Sequence, residues 1–125
     1  RPNLQQRGIR MITNTRRAPR LQVPELVQVR DQMTGTQIGR LGNVSDTGML
    51  LITSVPMQED ALYQLQFPIP DGRGGHLQID VGVHLLWCEP THAPEQSWAG
   101  FRFLTLDKTH RERLARWIEG SIPAA

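Results

Sequence analysis

The stretch Tyr63-Gln64-Leu65-Gln66-Phe67-Pro68-Ile69-Pro70-Asp71-Gly72-Arg73-Gly74-Gly75-His76-Leu77-Gln78-Ile79-Asp80-Val81-Gly82-Val83-His84-Leu85-Leu86-Trp87 alternates apolar and polar residues on both sides of one glycine-rich turn. Successive side chains of a strand point to opposite faces, so this period of two is the mark of a half-buried β-strand. Tyr63, Leu65, Phe67 and Ile69 fall on one face, and Gln64 and Gln66 on the other. Beyond the turn, Leu77, Ile79, Val81, Val83, Leu85 and Trp87 share one side, opposite Gln78, Asp80, Gly82 and His84. Two such runs joined by Pro70-Asp71-Gly72-Arg73-Gly74-Gly75 predict a β-hairpin that forms one wall of an antiparallel barrel or sandwich.

Working outward, four more strands are expected, at Glu25–Asp31, Gln37–Val44, Met49–Ser54 and Ser97–Leu104. Gly35 offers the positive φ that a tight turn after the first of them needs. Phe101 and Phe103 share a face of the last strand. The period then changes. Asp107 can cap a helix with Leu114, Trp117 and Ile118 on one stripe, and Gly120 and Pro123 are expected to stop it. Six strands followed by one amphipathic helix predict a mainly β fold, a six-stranded antiparallel barrel with a C-terminal α-helix.

Composition narrows the function. A chain of 125 residues is the size of one domain. Cys88 is the only cysteine, so no internal disulfide forms and a reducing compartment fits best. No apolar run approaches the roughly 20 residues that span a bilayer, and a soluble, cytoplasmic chain without membrane insertion is expected. The sequence begins at Arg1 rather than Met, which fits a fragment of something longer. His76, His84, His92 and His110 lack metal-ligand spacing, and no nucleophile–base or paired-carboxylate pattern stands out. Neither a metal, a cofactor nor an enzyme is expected.

Charge is uneven. Residues 1–20 hold six Arg and no acid, while the remaining 105 hold eight basic and twelve acidic residues, which gives a +6 arm on a −4 body. Such asymmetry points to an anionic partner for a flexible basic arm, although a run of like charge also serves as a solvated tail. Pro19 disfavours helix at Ala18, so Arg16 and Arg20 are expected on an extended or turning segment; if it is extended, their Cα atoms lie up to roughly 13 Å apart with side chains on the same side. Arg pairs bidentately with phosphate or a guanine edge and stacks on bases. In Asn43-Val44-Ser45-Asp46-Thr47-Gly48 the spacing puts an amide and a hydroxyl on one face, with Val44 turned to the core and Gly48 free to adopt an unusual φ or to approach another backbone closely.

These two motifs, Arg-x-x-x-Arg and Asn-x-Ser-x-x-Gly, in this order and on these elements, resemble the PilZ domain family, as does Gly100-Phe101-Arg102-Phe103 in the last strand. The resemblance covers about residues 15–120, with residues 1–14 as a basic arm or linker and 121–125 as a tail. It implies a cyclic di-GMP receptor, acting as a ligand-gated adaptor toward a downstream protein or fused domain. The implied ligand residues are Arg16, Arg17, Arg20, Asn43, Ser45 and Gly48. Arg17 either assists with phosphate or faces water. Asp46 is read as a turn residue. Thr15 precedes the first motif at a position the family associates with binding one or two ligands, and Arg10, Arg17 or Arg102 could support a second. Glu95-Gln96-Ser97-Trp98-Ala99-Gly100 nearly repeats the second motif and is read as coincidence, its serine opening the last strand. Two other readings compete: a PilZ-like protein-interaction module without nucleotide, and a nucleic-acid-binding barrel. The acidic body and single Tyr disfavour the latter, so no nucleic acid is expected.

Overall fold

Among residues 20–121, which the computed structural model describes, the chain forms β1 (Leu21–Gln22), β2 (Gln28–Asp31), β3 (Gln37–Val44), β4 (Gly48–Thr53), β5 (Leu62–Pro70), β6 (His76–Pro90), β7 (Ser97–Thr105) and α1 (Lys108–Ser121). β5 and β6 are the expected hairpin, in register from Leu62 opposite His84 to Pro70 opposite His76. Its turn has positive φ at Gly72 and Gly74, where L side chains are strained, and the Asp71 carboxylate accepts the N–H groups of Arg73 (2.7 Å) and Gly75 (3.0 Å).

The sheet closes. β5 pairs with β6, β6 with β7, β7 with β4, β4 with β3, β3 with β2 and β2 with β5, all antiparallel, which makes the expected six-stranded barrel without free edges. The lacing is uneven, with nine residue pairs joining β5 to β6 and two, Arg30–Gln66 and Asp31–Leu65, joining β2 to β5. Side chains reinforce that thin seam. Arg30 donates to Gln66 (2.6 Å), while Gln66 (2.7 Å) and Gln32 (3.0 Å) both donate to Asp80. The alternation delivers its apolar face to the interior, where Leu65, Phe67, Ile69, Ile79, Val81, Val83 and Leu85 are all buried. Tyr63 meets Phe101 edge to face at 6.3 Å.

Four expectations are corrected. The first expected strand, Glu25–Asp31, is shortened to β2, Gln28–Asp31, and ahead of it β1 is an extra strand that pairs Leu21 with Val44 and Gln22 with Asn43. Trp87 does not share the face of Leu85. A bulge at Leu86 lets Leu85 oppose Phe101 and Trp87 oppose Gly100, so Trp87 turns outward while Cys88 packs against the core. Gly100 allows this, because a Cβ there would stand 2.5 Å from the Trp87 ring carbon Cε2. Gly120 lies within α1, which continues to Ser121; Pro123 is outside the described residues. Gly48 belongs to β4, one residue before the expected start, and Ser54 lies beyond its end.

Asp107 does cap α1, accepting the His110 N–H at 2.8 Å. Leu114 and Ile118 are buried against the barrel with Trp117 beside them, and His110 Nδ1 accepts the backbone N–H of Asp80 on β6 (3.2 Å). No described helix is long and apolar enough to cross a membrane.

Candidate functional site

β1 exists because Leu21 buries its side chain in the core, and its pairing sets Gln22 opposite Asn43 and Leu21 opposite Val44. The residue just before it, Arg20, is thereby carried to the end of β3. Its guanidinium donates from Nη1 to Asn43 Oδ1 (2.5 Å) and from Nη2 to Ser45 Oγ (3.4 Å). Two motifs 23 residues apart in sequence thus meet through one side chain.

The turn that follows β3 is held by its own polar groups. Ser45 N–H donates to the Gly48 carbonyl (2.9 Å), and Ser45 Oγ accepts the Thr47 N–H (3.3 Å) while lying 3.2 Å from Thr47 Oγ1. Thr47 in turn accepts the Phe103 N–H with its carbonyl (2.9 Å), which ties the turn to β7. Gly48 serves by close approach rather than by unusual φ: a Cβ would stand 2.3 Å from the Phe101 carbonyl oxygen, and no positive φ occurs there. Val44 is fully buried, as its spacing requires, and Asn43 and Ser45 are buried as well.

Burial pushes the Arg20 guanidinium below its ordinary pKa, and the Asp46 carboxylate opposes that shift. Arginine starts so high that it stays a cation. Both groups Arg20 bonds are neutral, so contact does not cancel its charge. Asp46 itself is exposed, a turn residue as expected. Arg102 stands opposite Gly48 on β7 and is exposed, a second cation at the same end of the sheet. Arg10, Arg16 and Arg17 lie outside the described residues.

One neighbour escaped the sequence reading. Trp98, 36% exposed, opposes Ile52 on β4, and its ring carbon Cζ3 comes within 3.6 Å of where a Cβ on Gly42 would be, next to Asn43. Cross-strand register decides that neighbourhood, and no spacing along the chain announces it. Among the described residues no group of His, Cys, Asp and Glu is arranged to hold a metal ion.

The PilZ domain family model matches residues 14–120. A comparison with curated proteins finds none that matches. Among solved structures, the chain is similar to the Bacillus subtilis inhibitor of motility MotI/DgrA, with TM-score 0.71 and 12% identity over 82% of this chain and 48% of that one. It is similar to the PilZ domain of Escherichia coli YcgR solved with c-di-GMP, with TM-score 0.61 and 19% identity over 84% of this chain and 89% of that one. It also resembles the K. pneumonia MrkH–c-di-GMP complex, with TM-score 0.53 and 19% identity over 83% and 49%. The chain spans about half the length of MotI and MrkH. At these identities the structures testify to fold. With the family model covering most of the sequence, a closed six-stranded barrel under it and the two motifs joined at one end of β3, this chain belongs to the PilZ domain family.

Proposed function

We propose that this chain is a receptor for cyclic di-GMP and works as a ligand-gated adaptor, without catalysis, in the cytoplasm. The observation that carries the reading is the Arg20 guanidinium bonded to Asn43 and Ser45, which joins the arginine motif to the polar turn. A ligand with two phosphates and two guanine edges needs a cation that can fork onto oxygens or O6/N7, and neutral polar groups that aim it. Arg20 is that cation, with Asn43 and Ser45 as its aim and Gly48 holding the turn against β7. Arg16 and Arg17 are assigned to the same ligand, Arg16 as the second arm of the clamp and Arg17 as a phosphate contact. YcgR and MrkH, solved with c-di-GMP, share this fold, which favours the same ligand here. In this reading the nucleotide orders the arm around itself and so changes the surface offered to a downstream protein or fused domain.

Calorimetric titration with cyclic di-GMP, beside GMP, cyclic AMP and an Arg20→Ala chain, tests this. Cyclic di-GMP alone should bind. Loss of a charge-assisted pair costs about 1.5–3 kcal/mol, so Arg20→Ala should weaken binding by roughly 10- to 150-fold. No binding by the folded, arm-intact chain would instead favour a PilZ-type interaction module, and salt-dependent binding of any nucleic acid would favour the third reading.

A further inference from the structure

We propose that Trp98 is a stacking surface for one guanine of the bound nucleotide, and that Gly42 keeps that surface open; this rests on the receptor reading. The outer face of β3, β4 and β7 is read by register. Asn43 opposes Leu50, Leu50 opposes Gly100, and one step along the same face Ile52 opposes Trp98. From β7 the Trp98 ring reaches across β4 to within 3.6 Å of the space above Gly42 on β3. It therefore lies over Leu50 and Ile52, both half-buried, rather than in the core.

Gly42 sits at the bulge between Leu41 and Asn43, where β3 offers two residues to one on β4. Any larger residue there would fill the gap between the indole and the Leu50 carbonyl, 3.2 Å from the added Cβ. The next residue, Asn43, holds Arg20. An exposed indole, an open floor and a guanidinium thus follow one another within two residues of β3. An anion alone would need only the guanidinium. A flat apolar surface beside it suits a ligand that carries a π-face next to its phosphate, and base–aromatic stacking is substantial in water because both faces are large and apolar.

Titrations with cyclic di-GMP of the wild-type chain, Trp98→Phe and Trp98→Leu decide the matter, with thermal melts run alongside. Stacking predicts that Trp98→Leu weakens binding by roughly 5- to 100-fold, that Trp98→Phe recovers most of it, and that the loss is the same at low and high salt, since no charge is removed. In the intact chain, cyclic di-GMP should quench tryptophan emission, and Trp98→Phe should abolish most of that quenching. Wild-type binding with undiminished affinity in a folded Trp98→Leu chain, or quenching unchanged in Trp98→Phe, overturns the stacking role and leaves the receptor reading standing. No binding by the wild-type chain overturns both.

Discussion

At the scale of single residues, Cys88 has the most specific chemistry outside the site. The bulge at Leu86 turns it toward the core, and burial pushes its thiol pKa up, with the carboxylates of Glu59 and Glu89 adding to the effect. Glu59 also accepts the Cys88 backbone N–H at 2.8 Å, which fixes the carboxylate nearby. A raised pKa keeps the group as thiol at neutral pH, and only the thiolate attacks. Alkylation by iodoacetamide at pH 7.5 should be several-fold slower than for a free model thiol and should quicken as pH rises; Glu59→Gln should accelerate it at fixed pH. A rate in the variant equal to wild type would deny Glu59 its electrostatic part. The sequence disclosed a lone thiol and no more, because its partner is 29 residues away and meets it only through strand geometry. Asn43 and Ser45 were legible for the opposite reason, since a spacing of two across the end of β3 and the first residue after it needs no tertiary knowledge.

Elements obey the same division. The long alternating strands were readable almost to their ends because burial of one face enforces the period along nine or more residues. β1 was not, since two residues carry no period and its pairing partner is set by the closed sheet. The facing of Trp87 failed at a bulge, a one-residue event that alternation cannot forecast. Gly48 offered two readings in sequence, and the proximity of β7 selects one of them. Gly48→Ala should therefore destabilise the fold by about 1–3 kcal/mol, because the methyl meets a backbone carbonyl that cannot rotate away. Urea unfolding measures this, and a change below about 0.5 kcal/mol would mean that β4 shifts freely against β7.

For the whole molecule, the organisation is a ring of strands with α1 set against β5 and β6 and the Arg20 cluster on β1, β3 and the turn before β4. Stability and recognition are therefore separable. Leu114→Ala, which empties a buried anchor of α1, should cost about 2–5 kcal/mol of unfolding free energy and leave the affinity for cyclic di-GMP within about twofold of wild type, as paired unfolding and titration would measure. The helix and its inward stripe were plain from Leu114, Trp117 and Ile118, whereas where it docks depended on His110 finding the Asp80 amide. The thin join between β2 and β5 has a mechanical reading. A hoop gives where its lacing is sparsest, and a split there would leave β1, β3 and β4 together on one leaf and β5, β6 and α1 on the other. Breathing of the hoop would then flex the leaf that carries the Arg20 cluster against the helix-bearing leaf while Arg20, Asn43 and Ser45 kept their mutual distances.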